Sequence, residues 1–166
     1  MHLPGVVMAC LTMAIGVAAV ACGDATTVPA TPAIQPGTAG SPREVNLITK
    51  DYSFLPDVLD LVPGETVLLH VVNGGLAVHE AILGDDAVQA AWESAEAATV
   101  GSPPGPTPVV SVAPQVRGLR IVVRSGERVD VAWTVPSAIA PWSVGCHIPG
   151  HLARGMVIPI RWVDRL

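Results

Sequence analysis

Basic residues are few and scattered in this sequence. Lys50 is the only lysine, and no run of basic residues occurs in the 166-residue chain. Nucleic-acid binding depends on a basic footprint, so this composition argues against a nucleic-acid partner. The formal net charge of −5 favours solubility and says little else about partners.

Cysteine is also scarce. The chain has three cysteines, and two of them, Cys10 and Cys22, fall in an apolar leader. The folded part therefore has one thiol, Cys146, and cannot form an internal disulfide. A lone cysteine in an exported protein is either a buried, inert side chain or a reactive or metal-bound one.

The leader and the segment after it set the predicted domain limits. Residues 6–22 form an apolar stretch that is short for a membrane span and is followed by Pro-rich sequence, as in a signal peptide. Small residues before Cys22 resemble a bacterial lipobox, so we expect a signal peptide over 1–22 and a lipid anchor at Cys22. A retained membrane anchor is the alternative. Residues 23–44 predict a flexible tether, and 45–166 the folded domain.

Aromatic residues make up 4% of the chain, whereas Val-rich runs, 16 Gly and 16 Pro favour short strands and many turns over a helical bundle. Such strands are typical of a β-sandwich. We predict a hairpin turn at 124–127 between two of them. The predicted strands cover residues 45–50, 58–62, 67–72, 79–83, 119–123, 128–135, 142–146 and 156–163.

One segment, residues 84–117, breaks the strand pattern. Residues 85–98 place Val88 and Trp92 on one face of a predicted helix, which Asp85 or Asp86 can cap. The Pro- and Gly-rich stretch that follows predicts an irregular loop. The segment is therefore interpreted as an insertion with a helix and a long loop, whose acidic residues form a solvated face; these are Asp85, Asp86, Glu93 and Glu96.

The most informative stretch is CHIPGHLARGM, which runs from Cys146 to Met156. Copper that cycles between Cu(I) and Cu(II) needs ligands acceptable to both states, and two imidazoles, a thiolate and a weak axial thioether meet that need. The Cys-x4-His-x4-Met spacing offers three of these four ligands from one loop. The dipeptide Pro149-Gly150 allows the sharp turn that brings Cys146 and His151 to one metal.

This loop resembles the copper loop of the cupredoxins, the type 1 (blue) copper proteins, in the CxxPGHxxxGM form of rusticyanin-like and sulfocyanin-like members. Upstream, the stretches at 52–56 and 62–67 and the Asn73-x5-His79 spacing resemble the same family. The resemblance covers residues 45–83 and 118–163. It implies a Greek-key β-sandwich with one type 1 copper per chain. It also implies the ligands: His79, Cys146 and His151 equatorial, and Met156 axial.

Other histidines compete with these ligands. His70 lies inside an apolar strand and is interpreted as a satisfied core or outward-facing residue. His147 follows Cys146 directly, and neighbouring side chains of an extended chain point in opposite directions, so we expect it near the surface. His79 alone would be read as a surface residue at a strand start.

The resemblance implies a one-electron carrier and not a catalyst. The leader and the tether predict that it acts outside the cytoplasmic membrane, with membrane-associated redox partner proteins. Apolar cover over the metal is expected from Ile148, Pro149, Leu152 and Trp142. The chain has 5 His and no His-x-His pair, too few for the extra copper centres of an oxidase. Copper delivery, storage or sensing, and an accessory copper domain of a redox enzyme complex, are the alternatives.

Overall fold

A computed structural model describes residues 33–100 and 110–165. The predicted leader, Cys22 and the first part of the tether lie outside these residues. Within the described ranges, the one α-helix is too short and too polar to cross a membrane.

The described residues form two mixed sheets that pack against each other. In the first sheet the strand order is β2-β1-β4-β7, and in the second it is β3-β9-β8-β5-β6. The strands are β1 (Arg43–Lys50), β2 (Ser53–Leu55), β3 (Leu59–Leu61), β4 (Thr66–Asn73), β5 (His79–Asp85), β6 (Leu119–Val123), β7 (Arg128–Thr134), β8 (Trp142–Gly145) and β9 (Val157–Trp162). The predicted β-sandwich is confirmed.

Buried and more exposed side chains alternate along the strands of the first sheet, and the buried ones face the core. Val45 and Leu47 in β1 are buried, while their neighbours face outward. Parallel pairing of β1 with β4 sets Leu47 opposite Val71, so both strands present apolar side chains to the same side. Residues such as Leu83 and Ile158 from the second sheet complete one continuous core.

The turn at 124–127 forms, but the predicted hairpin is wrong. The Glu127 amide donates to the Arg124 carbonyl oxygen at 2.9 Å, and Gly126 has a φ of 73°. The flanking strands do not pair, since β6 pairs with β5 and β7 pairs with β4. Turn residues determine where a chain reverses, whereas strand partners depend on distant sequence. Here the turn carries the chain from one sheet to the other.

The inserted helix, α1 (Asp86–Ala97), lies where the sequence predicts it, and Asp85 caps it by accepting a hydrogen bond from the Val88 amide at 3.0 Å. Val88 and Trp92 are buried against the second sheet. The expected solvated acidic face is wrong in part. Glu96 is buried and pairs with Arg120, because an i, i+4 step from Trp92 places it on the packed face.

The folded unit extends upstream of residue 45, into the segment assigned to the tether. The Gly37 carbonyl oxygen accepts a hydrogen bond from the Thr66 amide at 3.0 Å, and the Gly37 amide donates to Glu65 at 3.3 Å. Arg43 donates to both carboxylate oxygens of Glu65, at 2.6 and 2.8 Å. A buried carboxylate requires such partners, and it obtains them from this segment.

Candidate metal centre

Three buried donor atoms meet at one end of the sandwich. His79 begins β5, while Cys146 and His151 lie in the loop between β8 and β9. The His79 Nδ1 is 3.2 Å from the His151 Nδ1, which in turn is 3.3 Å from the Cys146 Sγ. All three atoms lie within 4.8 Å of one another, so this group can bind a metal ion.

Met156, the fourth residue predicted from the sequence, closes the loop. The Cys146 amide donates to the Met156 carbonyl oxygen at 3.1 Å, so the two ends of the loop are hydrogen-bonded neighbours. The Met156 amide donates to the His151 carbonyl oxygen at 3.2 Å. The Met156 side chain is fully buried. Its role as axial ligand remains a prediction from the motif.

Two tight turns give the loop its shape. The His151 amide donates to the Ile148 carbonyl oxygen at 2.9 Å, with Gly150 at a φ of 86°. A short 3-10 turn then ends at Gly155, which has a φ of 87°. Positive φ values favour glycine, which explains why the motif has glycine at these two positions.

The approach to His79 is fixed by Asn73, the residue that the motif places six positions upstream. Its side-chain amide nitrogen donates to the carbonyl oxygens of Ala77 and Val123, at 2.8 and 3.0 Å. Its oxygen accepts from the Gly75 amide at 2.8 Å. The loop is thereby attached to the neighbouring strand just before the histidine.

A second group of polar atoms orients the donors. The Asp51 carboxylate lies 3.2 Å from the His79 Nε2 and also accepts from the amides of Leu76 and Ala77. The Glu80 amide donates to the Cys146 Sγ at 3.5 Å. A carboxylate on the far side of a histidine ring fixes the ring orientation, and an amide aimed at sulfur favours a thiolate.

Burial shifts the pKa values of Cys146 and His151 in opposite directions. Burial raises the pKa of the Cys146 thiol to about 12, although the amide of Glu80 opposes this shift. Burial by itself therefore favours the neutral thiol. Burial, with His79 and Arg154 nearby, lowers the pKa of His151 and favours the neutral imidazole that binds metals. Hydrogen bonds from the Ala77 and Leu76 amides and from His79 outweigh desolvation and lower the pKa of Asp51.

Tyr52 covers His151, and this contact could not be predicted from the sequence. Its ring stands edge-on to the His151 ring, with centroids 5.1 Å apart, and the Arg154 guanidinium lies 4.1 Å from the Tyr52 centroid. The expected cover by Trp142 is wrong. Trp142 begins β8, four residues before Cys146, and stacks on Trp133 at 6.3 Å. Strand length explains this, since four extended residues span about 13 Å.

The rival histidines lie outside the donor group. His70 Nδ1 contacts the Asp130 carboxylate at 2.8 Å in the first sheet, which confirms a satisfied residue. His147 points away from the metal side, as expected, but the predicted surface position is wrong. Its side chain is fully buried, because helix α1 covers it and supplies Gln89 and Glu93 as partners.

Known structures share this architecture. Auracyanin B is 25% identical, with a TM-score of 0.53, over 76% of this chain and 98% of its own. Auracyanin A, a blue copper protein from the green thermophilic photosynthetic bacterium Chloroflexus aurantiacus, is 22% identical, with a TM-score of 0.57, over 72% and 98%. Dithionite-reduced auracyanin from the photosynthetic bacterium Roseiflexus castenholzii is 16% identical, with a TM-score of 0.57, over 70% and 94%. No protein-family model and no curated protein matches the chain.

These neighbours confirm the resemblance drawn from the copper loop: the chain has the cupredoxin fold. Within that fold, His79, Cys146 and His151 form a buried group that can bind a metal.

The orienting residues Asp51, Tyr52 and Glu80 were missed as functional residues. Tyr52 begins the 52–56 stretch, and Glu80 directly follows the predicted ligand His79. The available signal was a charged residue, Glu80, directly after a predicted ligand at the start of a buried strand, where an unpaired charge would be costly.

Proposed function

We propose that the chain is a mononuclear type 1 copper protein that carries one electron at a time and is not a catalyst. The observation that carries the proposal is the meeting of His79 Nδ1, Cys146 Sγ and His151 Nδ1 in one buried cluster, with Met156 at the end of the same loop. When bound there, copper would supply one-electron chemistry between Cu(I) and Cu(II). The mixed nitrogen and sulfur donor set suits both states.

The protein's own contribution is a scaffold that keeps the donors in place. Hydrogen bonds across the loop hold Cys146 beside Met156, and Asn73 holds the segment before His79. Donors that do not move between oxidation states require little reorganisation, which favours rapid electron transfer. A loose loop would instead rearrange at each step.

His151 is the best route for electrons to a partner. It is 7% exposed, whereas His79, Cys146 and Met156 are 0% exposed. Its edge therefore lies closest to solvent among the predicted ligands. The depth of the other three also argues against copper delivery, because handing over a metal requires donors that a partner's ligands can reach.

The sequence that precedes the folded domain supports a location outside the cytoplasm. The apolar leader and the small residues before Cys22 support export and a lipid anchor at that cysteine. We propose a periplasmic or cell-surface location, with redox partner proteins at the same membrane.

Reversible electrochemistry tests the carrier role. The copper-loaded protein is expected to cycle between two oxidation states in voltammetry without loss of metal, and to show rapid self-exchange. Copper that binds but leaves on reduction would favour delivery or storage and overturn the carrier role.

Met156→Gln tests the axial position. An amide oxygen favours Cu(II) over Cu(I), so the variant is expected to retain copper with a lower reduction potential. The potential is measured by voltammetry beside the wild-type protein. Equal potentials in the two proteins would remove Met156 from the ligand set.

A further inference from the structure

Helix α1 lies unusually close to the second sheet, on the face opposite the core. A Cβ atom added at Gly84 in β5 would meet the Val88 side chain at 2.5 Å. A Cβ atom added at Gly145 in β8 would meet Gln89 Oε1 at 2.5 Å and His147 Nε2 at 3.0 Å. Glycine at both positions thus provides the space in which the helix side chains sit.

Gln89 connects the helix to both of these strands. Its side-chain nitrogen donates to the carbonyl oxygens of Ile82 and Ser143, at 3.0 and 3.1 Å, and is 3.4 Å from that of Gly84. These three acceptors fix the orientation of the amide, because its nitrogen must face them. The Gln89 oxygen is consequently directed to the other side, toward His147.

The His147 ring lies within hydrogen-bonding distance of this oxygen and of a carboxylate oxygen of Glu93. Its Nε2 is 2.6 Å from Gln89 Oε1, and its Nδ1 is 2.8 Å from the Glu93 carboxylate. Both ring nitrogens thus face acceptors on one helix. Because His147 directly follows Cys146, the helix holds the residue next to the thiol.

A second connection runs through Glu80, whose side chain is fully buried. One carboxylate oxygen accepts from the His147 amide at 3.1 Å, and the other accepts from Arg120 at 2.8 Å. Arg120 also pairs with Glu96 on the helix at 3.1 Å. The helix therefore reaches the backbone at His147 by a route independent of the His147 ring.

We propose that helix α1 is a clamp on the metal-binding loop, in which Gln89 and Glu93 are positioning residues that act through His147 on Cys146. The insertion then serves the site as a support. The effect on copper rests on the proposed function, whereas the effect on loop rigidity does not.

The test separates the effect of the helix on loop rigidity from its effect on copper. Amide hydrogen exchange at residues 146–151 is measured in the metal-free protein for Glu93→Ala, for Glu93→Gln and for Asp86→Ala. Loss of a hydrogen bond to a charged group is expected to accelerate exchange in Glu93→Ala by about tenfold. Glu93→Gln keeps an acceptor oxygen and should restore slow exchange. Asp86 is an exposed acid in the first turn of the same helix, so Asp86→Ala controls for lost charge.

The copper-loaded forms give the second readout. Glu93→Ala should shift the position and relative intensity of the thiolate-to-copper bands, while Asp86→Ala should not. Equal rates of amide hydrogen exchange at residues 146–151 in Glu93→Ala and Asp86→Ala would overturn the clamp. This conclusion would hold whatever the copper spectra of the two variants show. A wild-type protein without blue colour would overturn the proposed function, and the exchange data would still decide on the clamp.

Discussion

The two sheets of the sandwich differ in how their outer faces are covered. In the first sheet the outer face meets solvent, and β7 alternates between exposed and half-buried residues along its whole length. In the second sheet helix α1 packs on the outer face of β5 and β8, and six of the seven residues of β5 are buried. Strands buried on both faces are expected to be uniformly apolar. β5 instead begins with His79 and Glu80, and both belong to the candidate site.

This difference indicates a division of labour. The first sheet contributes apolar side chains to the shared core and none of the three clustered donors. The donors lie in the second sheet and its β8–β9 loop, whereas the polar groups that orient them come from both sheets: Asp51 and Asn73 from the first and Glu80 from the second. Substitutions at apolar core positions of the first sheet should therefore change stability without changing the metal site.

The largest stability effect is expected from Leu47→Ala in the first sheet. Leu47 is fully buried in β1, and a cavity at such a position costs about 3 kcal/mol of unfolding free energy. Denaturant unfolding of the metal-free protein measures this loss. Ile139→Ala, at a side chain that is 67% exposed, serves as the control. A changed copper spectrum in Leu47→Ala would contradict the division between the sheets.

A smaller loss is expected from Gly84→Ala in the second sheet. The new Cβ would collide with Val88 and push the helix outward, at a cost of about 2 kcal/mol. Gly40→Ala, where nothing lies within 4 Å, should change stability by less than about 0.5 kcal/mol. Equal unfolding free energies for the two variants would show that the helix is not packed as closely as described.

The sequence predicts the parts of the site that lie in one short stretch. Cys146, His151 and Met156 share a loop, and their spacing predicts one ligand set, of which the structure brings the Cys146 and His151 donor atoms together. The helix at Asp86–Ala97 could also be predicted, since its cap and its apolar face are local signals. The ligand prediction rests on a local motif, and the helix prediction rests on its cap and its local periodicity.

Features that depend on distant partners could not be predicted. His147 alternates with Cys146 and would face solvent on a sheet with an open face, but the helix 54 and 58 positions away covers it. The turn at 124–127 was predicted, whereas the strands that it joins belong to different sheets. Which faces are covered, and which strands pair, follow from the whole chain.

The central claim is that Cys146 binds copper as a thiolate, and the absorption spectrum after addition of Cu(II) tests it most directly. We expect the purified protein to develop intense blue colour with one copper per chain, and Cys146→Ser to remain almost colourless under the same conditions. A colourless wild-type protein, or equal spectra for the two proteins, would contradict the account.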